Sequence, residues 1–259
     1  MGYKEREIAD NLAVACRVLG ANDMTVGALG HVSYRVQGED AMMIKGKGPD
    51  EVGLRYTRAR DIIKVDFNAD LLGGPDGLQP PSESFLHIWL YKTRPEIMSV
   101  THCHPEHVVI LTMTNKDIYP IYGAFHGSSG LAREGVPTYP SSRTIQSNEQ
   151  GEEFAKVMGN HSVALMRGHG IAAAGTTIEQ STLNALNIEY LCRIFYKSYL
   201  AGTPEQLPES DLNAPREEVP EGQRRPRGSA GGSEGMMATW RYHVSLSEDK
   251  LGRGSRSAE

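Results

Sequence analysis

The chain has 259 residues, 39% of them hydrophobic, with a formal net charge of -5 and three cysteines. That is enough apolar material for one sizeable core, and with lysines and arginines dispersed the chain lacks the basic field a nucleic-acid partner would require. No stretch approaches the roughly 20 apolar residues of a membrane span, the N-terminal MGYKEREIADN is charged where a secretory leader needs an apolar run, and Cys16, Cys103 and Cys192 are widely spaced. The expectation is a cytoplasmic protein with structural thiols and neither a membrane nor a nucleic-acid partner.

In chain order, Ile8, Leu12, Ala15, Cys16 and Leu19 recur at three- and four-residue steps, predicting an amphipathic helix over 4–19 that stops at Gly20. GALGHVSYRV and AMMIKGKGPDEV predict two short antiparallel strands, the second broken at Gly46 and Gly48, and DIIKVDF predicts a third. NADLLGGPDGL has the Gly, Pro and Asp content of a connection. PSESFLHIWLYKTRPE predicts a helix capped by Ser82, with Phe85, Leu86, Trp89 and Leu90 as its apolar stripe; Glu83 then lies just inside the first turn, with His87 four residues later on the same face.

SVTHCHPEHVVI reads as strand up to His104 and, from Pro105 to about Met113, as helix. Short β-like pieces follow near 118–122 and 137–139. NEQGEEFAKVMG predicts a polar-faced helix, SVALMRGHGIAAAG a strand, a sharp turn and a second strand, and TTIEQSTLNALNIEYLCRIFYKSYLAG the longest helix of the chain. Strands this short and hairpin-like favour an antiparallel or mixed sheet covered by helices over a strict βαβ repeat. From 203 to about 235 the composition is that of a linker or extended arm; MMATWRYHVSL then regains Met236, Met237, Trp240, Tyr242 and Val244, enough to dock on a folded body before a charged, fraying end. The expected organisation is a body over 1–202 and a C-terminal segment over 203–259, docking through 236–246.

Alternate side chains of a strand share a face, so His102 and His104 project together while Cys103 faces the other way. Two imidazoles so placed either chelate one ion or form a polar strand end. His169, flanked by Gly168 and Gly170, sits at a turn tight enough to present a third imidazole from a distant part of the chain, or to hold a turn histidine against backbone. Three histidines with an open fourth position make a catalytic rather than a structural metal site. Glu83 is either a proton-transfer group or a first-turn glutamate favoured by the helix dipole.

The order GHVS, PSESFLH, HCHP and GHG over residues 9–202 resembles the class II aldolase and adducin family. The resemblance implies that His102, His104 and His169 bind a divalent metal, Zn2+ first with Mn2+, Co2+ or Fe2+ as alternatives, and that Glu83 is catalytic. It implies a three-layer αβα fold around a largely antiparallel sheet, assembled as a homotetramer with active sites at subunit interfaces. Such a metal acts as a Lewis acid toward a small-molecule substrate while Glu83 moves the proton.

The family's sugar-phosphate aldolases cradle phosphate through an asparagine, a threonine-glycine pair and two serines. Here those positions carry His31, Lys47 with Gly48, and Pro81 with Ser82, so His31 and Lys47 are expected to meet a carboxylate as cationic donors, with Gly48 and Ser82 retained for substrate binding. Tyr122 lies one position from the tyrosine that a neighbouring subunit contributes as proton donor. His126 and His87 are further titratable groups near the motifs, and Tyr242 is a second tyrosine candidate. The HCHP and KGKG segments resemble the dihydroxyphthalate-type decarboxylases of the family. The expected function is a metal-dependent carbon–carbon lyase, decarboxylating a hydroxy-aromatic (catechol-type) or related keto acid ahead of aldol cleavage. An iron-dependent oxygenase on a hydroxyaromatic acid and an adducin-like scaffold are the other readings, and retention of the three histidines with Glu83 speaks against the scaffold.

Overall fold

The computed structural model describes residues 3–114, 116–123, 128–133, 135–212 and 233–252. Helix α1 (Tyr3–Ala21) leads into β1 (His31–Arg35) and β2 (Ala41–Lys45); two short 3-10 turns, Leu54–Tyr56 and Ala59–Asp61, precede β3 (Ile62–Asp66) and β4 (Leu71–Gly73). Then come α2 (Ser84–Thr93), β5 (Ser99–Cys103), α3 (Glu106–Met113), α4 (Ser128–Ala132), β6 (Thr138–Tyr139) and α5 (Asn148–Met158). The hairpin β7 (Val163–Met166) and β8 (Gly170–Gly175) is followed by α6 (Ile178–Ala201), α7 (Glu209–Leu212) and α8 (Ser233–Leu251).

The strands form one eight-stranded sheet in the order β4-β3-β2-β1-β5-β8-β7-β6. Every neighbouring pair is antiparallel except β6 with β7, so the expected largely antiparallel αβα fold is what the chain adopts. Alternation builds the three layers. Met43 of β2 joins Leu12, Cys16, Val108, Ile188 and Phe195 on the side of α1, α3 and α6, whereas Met42 and Ile44 join Leu86, Leu90 and Phe154 on the side of α2 and α5. Each such side chain, fully withdrawn from water, contributes on the order of 1.5–3 kcal/mol.

Four local expectations are corrected. Ser82 does not cap α2: the helix begins at Ser84, Glu83 holds the N-cap position without a side-chain cap bond, and the turn is closed by the Ser84 hydroxyl donating to Pro81 O at 2.8 Å. The Glu83 carboxylate is drawn to other partners, described below. Strand β5 ends at Cys103 rather than His104, because the His104 N–H leaves the ladder to bond Met24 O at 3.0 Å, after α1. Part of NADLLGGPDGL is strand β4, an exposed edge that a composition of turn residues conceals. The segment after α6 is not free at its start: Leu207 N–H bonds Pro120 O and Tyr122 N–H bonds Glu205 O.

The stretch 236–246 falls within helix α8, which lies on α1, with Trp240 buried and the Lys250 ammonium donating to Ala21 O at the α1 C-terminus. The expected fraying end beyond residue 252 lies outside the described residues. No helix among the described residues is long and apolar enough to cross a membrane.

Candidate metal centre and active site

The site forms where the middle strands end. His102 on β5 is flanked in register by His31 of β1 and Ala172 of β8, and is fully buried. Its Nδ1 lies 2.8 Å from Ile171 O. A carbonyl only accepts, so Nδ1 carries a proton, and in the neutral ring Nε2 is the lone pair. That nitrogen is buried without a hydrogen-bond partner, although Glu83 Oε2 stands 3.0 Å away, misaligned for a hydrogen bond.

His104 follows two residues later on the same side. Its Nε2 is 3.1 Å from Nε2 of His169, and both rings keep a buried, unpartnered Nδ1. His169 is held over the sheet by two glycines with different reasons. Gly168 adopts φ +60°, and Gly170 passes so close to β5 that a Cβ there would stand 2.3 Å from Cys103 O and 2.8 Å from the His104 ring. Glu83 completes the group from the start of α2, its Oε1 accepting the Ile145 N–H at 3.3 Å and lying 3.5 Å from His169 Nε2. One ligand atom from each of Glu83, His102, His104 and His169 falls within 4.8 Å of all the others.

The charges are tuned toward a cation at this point. Burial alone would raise the Glu83 pKa, but His102 outweighs it and holds the group well below its ordinary value, a carboxylate. Burial would lower His102, and Glu83 outweighs that in turn, raising it. Burial, then His102 and His169, push His104 down to about 3, leaving a neutral imidazole. A carboxylate beside the unpartnered His102 Nε2 and the closely spaced Nε2 atoms of His104 and His169 is a donor set that fits a divalent metal ion.

The remaining sequence candidates divide. His31, 7% exposed, places its ring 5.1 Å from that of His102. Burial first, then His87 and His102, push its pKa well below the ordinary value, so it is a neutral imidazole rather than the cationic donor expected. Lys47 is exposed, exchanging backbone bonds with Gln79, and among the described residues no hydrogen bond or ion pair ties its side chain to the cluster. The buried lysine of KGKG is Lys45, ion-paired to Glu51.

Gly48 has a packing reason, since a Cβ would meet Leu78 at 2.8 Å. Ser82 is exposed beside Glu83. Tyr122 is 53% exposed, Tyr242 is exposed on α8, and neither touches the cluster; His126 lies outside the described residues. Sequence reading missed the Ile145 amide, Ser33 and Tyr91. The last two carried a faint signal, Ser33 two residues from His31 on one strand face and Tyr91 four residues from His87 on one helix face.

This sheet order, with a histidine–glutamate cluster that could hold a metal ion at its strand ends, agrees with the comparisons. Residues 10–196 match the model of the Class II Aldolase and Adducin N-terminal domain, and the chain belongs to that family. It is 34% identical over 238 residues to a 3,4-dihydroxyphthalate decarboxylase of Arthrobacter keyseri, covering 90% of this chain and 91% of that protein. It is 37% identical over 219 residues to one of Terrabacter sp. (strain DBF63), covering 82% and 90%. An aldolase II superfamily protein from Pseudomonas syringae shares the fold with a TM-score of 0.80 at 20% identity, over 96% of this chain and 95% of that one. The chain is an enzyme of the lyase type.

Proposed function

We propose that the chain is a metal-dependent decarboxylase of a catechol-type aromatic acid, with 3,4-dihydroxyphthalate, the compound in its relatives' names, as the first substrate to assay. The observation that carries the reading is the convergence of His102, His104, His169 and Glu83 on one point. In the reaction the bond from ring carbon to carboxyl breaks, its electron pair stays on the ring, carbon dioxide leaves, and a proton takes the vacated position.

His102, His104 and His169 would hold a divalent ion, which would supply Lewis-acid chemistry at this point. The protein does the rest. Ile171 O holds His102 with Nε2 inward, and the Ile145 N–H fixes Glu83 Oε1, leaving Oε2 to take the proton of a substrate hydroxyl and pass it to the ring carbon. Replacement of the small phosphate donors by His31, the exposed Lys47 and the buried Pro81 speaks against a phosphate cradle.

Zn2+ is the proposed ion, ahead of Mn2+, Co2+ and Fe2+. The proposed assembly is a homotetramer with sites at subunit interfaces, in which the exposed Tyr122 reaches a neighbouring site, and the proposed proton-transfer set is Glu83 with Tyr122 and His126. Residues 1–202 are the proposed catalytic body and 203–259 a C-terminal segment docked through α8. Three buried free thiols suit a cytoplasmic setting.

A panel pairing catechol carboxylates with sugar phosphates, with elemental analysis of the same sample, tests the reading. Release of carbon dioxide from 3,4-dihydroxyphthalate is expected. Turnover of a sugar phosphate with no carbon dioxide from any aromatic acid would overturn it in favour of aldol cleavage, and stoichiometric iron with oxygen uptake in favour of oxygenation.

A further inference from the structure

Beside the cluster, a second set of polar side chains is buried without an assigned role. His31 and Ser33 share one face of β1, and His87 and Tyr91 share one face of α2, so the two elements meet through four polar groups in a row. His31 Nδ1 is 2.7 Å from His87 Nε2, His87 Nδ1 is 2.7 Å from Ser33 Oγ, and Ser33 Oγ is 2.7 Å from the Tyr91 hydroxyl. His87, Ser33 and Tyr91 are all buried. None of the three contacts solvent as a polar surface group would, and together they occupy core volume that apolar residues would otherwise fill.

Counting protons along the row gives it a direction. The Tyr91 O–H has one acceptor among the described residues, Ser33 Oγ. Were Ser33 to donate to Tyr91 instead, the phenol proton would be buried without a partner, at the cost of a lost hydrogen bond. Ser33 Oγ has lone pairs enough to accept from both neighbours, but its own proton has no other acceptor among the described residues, so Ser33 donates to His87 Nδ1. His87 therefore carries its proton on Nε2 and donates to His31 Nδ1, which leaves the proton of His31 on Nε2. His31 Nε2 makes no hydrogen bond among the described residues, and its ring stands 5.1 Å from His102.

We propose that Tyr91, Ser33 and His87 are a tautomer lock that fixes the proton of His31 on Nε2 and makes His31 a neutral N–H donor to the carboxylate of the bound substrate. The donor role rests on the decarboxylase reading above; the lock does not. The chemistry gives a reason for neutrality. During decarboxylation negative charge leaves the carboxyl for the ring and its oxygens, so a full cation at the carboxylate would stabilise the substrate more than the transition state. A neutral donor orients the departing group with less of that penalty. His31 is then the substrate-contacting residue, and His87, Ser33 and Tyr91 are positioning residues.

Nitrogen-15 histidine spectra of the metal-loaded enzyme read the lock without activity. Both His31 and His87 should show the Nε2–H tautomer; a proton on Nδ1 of His31, or an imidazolium there at neutral pH, would overturn the proposal even if the enzyme decarboxylates well. The kinetic arm uses two variants of the positioning residue. H87Q keeps one donor and one acceptor in the row and should retain most turnover, whereas H87L, similar in size but unable to donate, should lower kcat/KM about tenfold at unchanged metal content.

Affinity for the decarboxylated product, which lacks the carboxylate, should be the same in both variants. Equal kinetics for H87Q and H87L, or an equal loss of product affinity and substrate turnover, would overturn the donor role. Absence of decarboxylation in the unaltered enzyme would instead sink the functional reading and leave the spectra to judge the lock.

Discussion

Glu83 meets three partners through two oxygens: the Ile145 amide, His169 and His102. Glu83→Gln keeps the size and the contact to Ile145 but can neither hold the carboxylate charge nor exchange a proton at neutral pH. Turnover should fall roughly a hundredfold or more while the three imidazoles retain the metal. Kinetics and metal analysis on one sample check this, and near-normal turnover at full metal would remove Glu83 from the mechanism. Gly170 makes a second prediction, because a methyl there collides with Cys103 O and the His104 ring. Gly170→Ala should displace His104 and lower metal occupancy, measured as bound ion per chain; full occupancy would mean that β5 and β8 can separate without disturbing the ligands. The histidine spacing of both motifs was legible in the sequence because period-two alternation and a glycine-flanked turn are local. The Ile145 contact to Glu83 and the contact of His31 with His87 span 62 and 56 residues, and no local pattern encodes such pairings.

At the level of elements, the amphipathic α1, the His-x-His strand, the β7–β8 hairpin and the long α6 were legible from periodicity and stop signals. Strand β4 was not, since its three residues pair only because β3 offers them an edge. The apolar residues of 236–246 lie in α8, and its neighbour, α1, is set by tertiary packing that no local pattern encodes. That docking carries a pH dependence. His243 of α8 is half-buried with Nδ1 unpartnered, its ring 5.1 Å from that of Tyr242, and it lines a cavity with Glu189, Tyr190 and Arg193 of α6 and Asn22 after α1. Burial lowers its pKa below the ordinary value. The undocked helix therefore binds a proton more readily, so the docked state is fully favoured above about pH 6.5 and loses stability as the pH falls below that through the folded value. Between pH 7.5 and 5 the fluorescence of buried Trp240 should shift as α8 loosens. A His243→Phe variant should show a smaller shift, and identical profiles would assign the change to another group.

Across the whole molecule, the sheet order joins what the chain keeps apart: β1 pairs with β5, bringing His31 beside His102, and β5 pairs with β8, bringing His169 within reach. The layered class was legible in the alternation of elements, whereas this strand order was not, because pairings across the middle of the sheet leave no periodic trace in either partner strand. The same order ties the proposed metal to the stability of the fold, since its ligands come from the start of α2, the end of β5 and the β7–β8 turn. An ion that binds only when all three segments are assembled stabilises the folded state by mass action, about 2.7 kcal/mol at a free concentration one hundred times its Kd. For a chain of this size that corresponds to roughly 5 to 10 °C in Tm. Chelation should therefore lower Tm by about that amount, and readdition of the ion should restore it. His102→Ala should show no response to chelator, because it has already lost the ligand at the centre of the cluster. A Tm unchanged after complete removal of metal would mean that the hydrogen bonds and packing around His102 hold the three segments together unaided, and that the ion, where it binds, serves chemistry alone.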